Sequence, residues 1–275
     1  VIPKVPNIHM VGYVDSSPEA IRRVQTELGI EEKRCFPSLD EAAQGLEADL
    51  AICTLRTEAH YPVVKRCLEL GLNVLVEKPF ASTIAQAREL VELARTNGRV
   101  LMVSQNYRFQ PAPIAAAELI AAQKFGPVNL VSIDFRRHAP SQGYRYWDMP
   151  DPLLADMSIH HFDLMRMVLS DNPKRVSCRT WNPVGSPFGY HPIGVATLEF
   201  EKGTIVSYRG SWMSSGPVTP WAGEWTMDCS EGEIIWSSRD HFMGKANPDR
   251  LSLRERDGEA VPYPLDTLEF ADRTG

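Results

Sequence analysis

The chain has 275 residues, enough for two domains, and its 43% hydrophobic and 23% charged content is that of a globular protein. A net charge of −6 without a basic block excludes a surface built for nucleic acid or anionic lipid, and the longest apolar runs fall far short of a membrane span. Five scattered cysteines without a C-x-x-C pair argue against a disulfide or zinc framework and read as the reduced thiols of a cytoplasmic protein.

In chain order, residues 8–14 (IHMVGYV) read as a strand closing at Asp15. Ser17 then caps a helix that has Pro18 at its first position, the stripe Ile21, Val24 and Leu28, and Gly29 at its end. A second strand at 50–53 and a helix at 58–70, stopped by Gly71, lead to a third strand at 73–76 that runs into Glu77-Lys78-Pro79. Thr83 and Gln86 form a capping box for a helix with the stripe Ile84, Ala87, Val91 and Ala94, and a fourth strand follows at 100–103. Apolar strands separated by helices predict a parallel sheet covered on both faces, so residues 1–109 read as a doubly wound α/β domain.

Beyond Phe109 the pattern changes. A helix is expected at 113–123, a turn at Phe125-Gly126-Pro127 and a strand at 128–136; a polar loop with Tyr144, Arg145 and Trp147 precedes a helix at 153–169. From Arg175 onward strand follows strand, with turns at Lys202-Gly203 and Ser230-Glu231-Gly232. Val206, Tyr208 and Trp212 alternate with Ser207, Arg209 and Ser211, as in an antiparallel sheet with one covered face. Residues 110–275 therefore read as a second, α+β domain.

Four places could carry chemistry. Asp15, at the end of an early strand, suits hydrogen bonds from the ribose hydroxyls of a dinucleotide, and its charge disfavours a 2′-phosphate; the competing reading is a cap for the next helix. Lys78 stands at the carboxyl mouth of a parallel strand, where its ammonium could support a developing alkoxide; a solvated loop lysine is the alternative. On a helix, Asp156 and His160 share a face with Asp163 near the same line, and a carboxylate beside an imidazole makes a proton acceptor. His161 points away from that face. A surface ion pair or two ligands of a metal remain alternatives, though no third ligand is in view. Arg108, after the fourth strand, either holds a substrate oxygen or is structural. Trp147, Trp212, Trp221 and Trp225 read as core or interface aromatics rather than a sugar platform.

In order along the chain, Val14-Asp15, the run from Thr54 through His60, Glu77-Lys78-Pro79, Asn106-Tyr107-Arg108-Phe109, Phe125-Gly126-Pro127 and the Asp156–His160–Asp163 helix resemble the Gfo/Idh/MocA oxidoreductases. The resemblance implies an N-terminal Rossmann domain and a C-terminal domain with a large, mainly antiparallel open sheet used for dimer or tetramer assembly. It implies that Lys78, Asp156 and His160 are catalytic and that Thr54, Glu77 and Asn106 lie near the cofactor. With Asp15 the cofactor expected is NAD rather than NADP, no metal is expected, and the substrate is sugar- or polyol-like. The same fold also serves NAD-dependent glycoside cleavage and non-catalytic sugar or nucleotide sensing. Three departures stand out. No glycine-rich phosphate loop precedes Asp15, Pro150-Asp151-Pro152 replaces glycines before Asp156, and the chain stops at Gly275 before a closing helix. The simplest expectation is a fragment cut at both ends that binds NAD weakly or not at all.

Overall fold

The computed structural model describes residues 5–138, 149–242 and 245–265; the loop residues Tyr144, Arg145 and Trp147 lie outside them. Two compact units result, one ending at Ser104 and the next beginning at Gln105. The turn that carries Asn106 and Arg108 thus belongs to the second unit.

The first unit runs β1 (Tyr13–Val14), α1 (Pro18–Leu28), β2 (Cys35–Phe36), α2 (Leu39–Gly45), β3 (Leu50–Cys53), α3 (Thr57–Glu69), β4 (Asn73–Val76), α4 (Ile84–Thr96) and β5 (Leu101–Val103). Its parallel sheet comes in two pieces, β1–β2 and β3–β4–β5. The strand expected over residues 8–14 is paired as a strand only at Tyr13 and Val14, where β2 supplies a partner. Ser17 caps α1 by accepting from Ala20 N, Gly29 ends it in the left-handed region at φ 66°, and Thr83 caps α4 by accepting from Gln86 N. The helix stripes differ from expectation. In α4 Ala94 is buried as expected, but Ile84 and Val91 are exposed and Leu90, outside the expected stripe, is buried; in α1 Val24 is buried as expected and Leu28 is exposed. The core of this unit gathers Val64, Cys67 and Leu68 of α3 with Cys53, Val74 and Val76 of the sheet and Leu90 and Ala94 of α4.

The second unit holds α5 (Pro111–Ala121), β6 (Val128–Arg136), a π-helical turn (Leu153–Met157), α6 (Ser158–Leu169), β7 (Pro173–Trp181), β8 (Ile193–Phe200), β9 (Ile205–Ser211), β10 (Glu224–Cys229), β11 (Gly232–Ser237), β12 (Asp240–Phe242), β13 (Lys245–Asn247), β14 (Arg250–Glu255) and β15 (Val261–Pro262). Eight strands form one open sheet in the order β15-β14-β11-β10-β6-β9-β8-β7. Every pairing is antiparallel except β6 with β9, which run parallel. Period-two alternation sends Val131, Ile133, Phe135, Val206, Tyr208 and Trp225 inward, where they form one core with Leu164, Met165 and Val168 of α6. The helix expected over 153–169 is broken at Ser158, with π geometry before it and α geometry after it. Among the described residues no helix is long and apolar enough to cross a membrane.

Candidate active site

In the first unit, parallel pairing continues past the strands. Glu77 N donates to Cys53 O at 2.9 Å and Ser104 N donates to Val76 O at 2.8 Å. Thr54, Glu77 and Ser104 therefore stand at the carboxyl ends of β3, β4 and β5, the edge at which open parallel sheets bind ligands. Thr54 is exposed, while Glu77 and Lys78 are half-buried. The Lys78–Pro79 bond is cis. Behind it, the buried His60 of α3 holds Nδ1 2.8 Å from Pro79 O and Nε2 3.0 Å from Leu55 O. It thus ties the turn after β4 to the turn after β3. The sequence offered His60 only as one letter of a matching run, because its partner Pro79 becomes visible only once α3 is packed on the sheet.

Asp15 follows β1 directly. Its Oδ1 accepts from Ser17 N at 2.8 Å and its Oδ2 from the Tyr13 hydroxyl at 3.2 Å, so Ser17, not Asp15, is the cap of α1. A carboxylate has about four acceptor positions, which leaves capacity for further donors.

In the second unit, the cross-strand pair Gly194 and Gly210 of β8 and β9 opens a shallow groove in the sheet. Leu153 fills it: a Cβ on Gly194 would meet its Cδ2 at 3.5 Å and one on Gly210 at 3.0 Å. This seats the π turn, and π turns concentrate at functional sites. From the turn comes Asp156, 4% exposed, and from the first turn of α6 comes His160, 6% exposed. The His160 ring stacks on Tyr107 with centroids 4.1 Å apart and planes 6° from parallel. Burial pushes the Tyr107 phenol up to about 12. Next to Tyr107, Arg108 grips Asp163 of α6 through Nε at 2.9 Å and Nη2 at 2.7 Å. One fork of Arg108 is thereby committed to holding the 106–109 turn against α6. The acceptors Asn106 Oδ1 and Gln105 Oε1 are buried and meet no donor among the described residues.

His161 does a different job. Fully buried, it has Nε2 3.0 Å from Trp221 O and Nδ1 3.0 Å from the Tyr208 hydroxyl. A carbonyl only accepts, so Nε2 carries the proton and Nδ1 accepts from Tyr208, which in turn takes a hydrogen bond from Ser158 Oγ at 2.7 Å. Burial lowers its pKa to about 4. The native state therefore refuses a proton that the unfolded chain binds near pH 6.5, so stability is complete above that pH and is lost as pH falls toward 4. Urea unfolding is expected to show a loss of about 3 kcal/mol across this window from His161. In His161→Gln, whose amide can meet both partners, the slope should flatten; an unchanged slope would assign the acid sensitivity to other groups.

Residues 3–105 match the family described as "Oxidoreductase family, NAD-binding Rossmann fold", and residues 114–235 match its "GFO/IDH/MocA C-terminal domain". The 1,5-anhydro-D-fructose reductase of Ensifer adhaerens is 25% identical over 262 residues, covering 94% of this chain and 75% of its own length. An oxidoreductase from Agrobacterium radiobacter, solved with NAD+, L-tartaric acid and magnesium, superposes with a TM-score of 0.84 at 18% identity, covering 99% of this chain and 77% of that one. An inositol dehydrogenase homologue from Azotobacter vinelandii, solved with NADH and myo-inositol, gives 0.77 at 21% identity, with 90% and 66% covered.

Proposed function

The chain belongs to the Gfo/Idh/MocA family of NAD-binding oxidoreductases, and from that premise we propose that it moves hydride between a hydroxyl-bearing carbon of a sugar or polyol and nicotinamide. The observation that carries this reading is the His160 ring stacked on Tyr107 within a group of buried ionisable side chains that includes Asp156. Buried titratable side chains gathered in this way are what a proton-transfer site needs.

On this reading His160 takes the proton of the substrate hydroxyl. Asp156 orients the imidazole and favours its charged form. Lys78 donates a hydrogen bond to the same oxygen as it gains negative charge, and that charge is used up as the oxygen's electron pair forms the C=O bond and hydride leaves the carbon. NAD, when bound, supplies the acceptor for the hydride that leaves that carbon. The residues present fit such a group: Asn106 Oδ1 and Gln105 Oε1 need N–H or O–H donors, and Asp15 retains acceptor positions for ribose hydroxyls. Thr54 and Glu77 complete the set at the strand ends. The anhydrofructose reductase and the myo-inositol complex among the relatives support a cyclic polyol or sugar as substrate.

The test is NADH formation from NAD with a panel of cyclic polyols, aldoses and hydroxy acids. The expected outcome is one molecule of NADH for each carbonyl formed, with NAD used in preference to NADP. Cleavage of a glycoside without net NADH would replace this reading with glycoside elimination, and sugar binding without any turnover would replace it with sensing.

A further inference from the structure

Two arginines whose charges act on Tyr107, the ring on which His160 stacks, take no part in the hydride chemistry. Arg137 lies two residues beyond Phe135, so its side chain leaves β6 on the helix-covered face, and it is only 8% exposed. Its backbone is pinned, with its N donating to Ser211 O at 2.9 Å and its carbonyl accepting from Ser214 N at 3.0 Å. Its Cζ sits 4.2 Å from the centroid of the Trp221 ring. Nε and Nη2, adjacent on one edge of the guanidinium, are enclosed and meet no acceptor among the described residues. Asp240, a carboxylate whose charge acts on Arg137, already accepts from Asn247 at 3.1 Å and lies 3.9 Å from Arg250.

Arg239 is built similarly. Its Cζ is 4.5 Å from the Tyr107 ring, on which His160 stacks, and its Nε likewise meets no acceptor among the described residues. It adopts φ 60°, outside the region a side chain prefers, and Asp249 holds it there by accepting from Arg239 N at 3.1 Å, Ser238 Oγ at 2.8 Å and Ala112 N at 3.0 Å. Arg239 O accepts from Trp221 N at 3.1 Å, so both arginines are organised around one tryptophan.

A buried cation whose donors go unused is costly, and a fold retains it where a ligand supplies the missing acceptors. Burial also pulls Arg137 below its ordinary value, which an arriving anion would reverse. The same edge elsewhere in this protein shows what it takes. Nε and Nη2 of Arg108 hold both oxygens of Asp163, and those of Arg95 hold both oxygens of Glu92 at 3.0 and 2.6 Å. The planar fork matches a carboxylate.

We propose that the substrate is a hydroxy acid, a sugar or polyol bearing a carboxylate, whose two carboxylate oxygens are held by the Nε–Nη2 edge of Arg137 with Arg239 as a second positive charge. The proposal rests on the dehydrogenase reading for the chemistry at the carbinol carbon and names the group that orients that carbon.

Matched probes test it: D-glucuronate with D-glucose, D-galacturonate with D-galactose, and a hexose phosphate, each titrated by calorimetry and by the fluorescence of the tryptophan beneath Arg137. At least one uronate should bind more than ~30-fold tighter than its neutral parent, the size expected of a bidentate charged pair. In Arg137→Met that preference should shrink to within about threefold, while neutral-sugar affinity and the urea midpoint do not fall, because an unpaired buried charge has been removed. Arg137→Lys, which keeps the charge without the fork, should lose most of the preference and serves if the Met variant does not fold. Equal binding of acid and parent, a preference that survives both substitutions, or a stronger preference for the phosphate would each overturn the proposal. NADH formation is read separately. Acids bound without turnover remove the hydride reading and leave this site standing, whereas NADH from neutral polyols with no acid preference does the reverse.

Discussion

Replacing Lys78 by Met should lower kcat for polyol oxidation by about 10³-fold, the scale of removing one donor from a developing oxyanion. Replacing His160 by Asn should lower it by about 10²–10⁴-fold, the range for losing a positioned general base. Neither loss should come from unfolding. Lys78 is half-buried at the end of β4, and Met keeps its aliphatic length. Asn in place of His160 keeps a polar group but gives up part of the stack on Tyr107, so its urea midpoint has to be measured beside wild type. The two variants should differ in their pH profiles. Without the base, kcat/KM should lose the limb that falls on the acid side, whereas Lys78→Met should keep that limb at a lower level. The double variant should be little worse than the poorer single one, because two groups acting on one oxygen work as a unit. Either single variant retaining activity within tenfold of wild type would remove that residue from the mechanism, and both doing so would remove the mechanism.

How much of this was legible beforehand follows the range of the interactions. The strands β3, β4 and β5, the caps Ser17 and Thr83 and the stop at Gly29 depend on neighbours a few residues away, and the sequence patterns name them. The face that a helix buries depends on what packs against it. Ile84 and Val91 fit a helical stripe with Ala94 as well as Leu90 does, and only contact with α3 and the sheet selects Leu90 with Ala94. The strand expected at residues 8–14 shrinks to Tyr13–Val14 for the same reason, since a strand exists only where a partner does. Nothing in the 153–169 stretch distinguishes π from α winding, and the groove over Gly194 and Gly210 that receives Leu153 is formed by strands far along the chain. Arg137 was partly readable. Val131, Ile133 and Phe135 share its parity, which already puts an arginine on the covered face of β6. Arg239 was not, because its approach to Tyr107 is fixed by Asp249 and Trp221, both remote in sequence.

Adding one methyl group at Gly210 should destabilise the protein by about 3 kcal/mol, although this glycine has an ordinary strand conformation. The constraint is space. A Cβ there would lie 2.6 Å from Tyr208 Oη and 3.0 Å from Leu153 Cδ2. The Tyr208 hydroxyl cannot swing away cheaply, because it is fully buried between Ser158 Oγ at 2.7 Å and His161 Nδ1 at 3.0 Å. Displacing it breaks two buried hydrogen bonds and leaves their partners unsatisfied, at about 1–3 kcal/mol for each group. Moving Leu153 instead disturbs the turn that carries Asp156, so Gly210→Ala should also lower kcat, by about tenfold, where a stability defect far from the site would not. Tyr208→Phe isolates the cause. On its own it should cost about 2 kcal/mol by orphaning Ser158 and His161, yet it removes the atom that collides with the new methyl. The double variant should therefore be more stable than the sum of the singles predicts, by about 1–2 kcal/mol in a urea double-mutant cycle. Strict additivity would mean that the glycine serves Leu153 alone. Coupling of the expected sign would tie the groove in β9 through the Tyr208 hydroxyl to Ser158, which lies midway between Asp156 and His160.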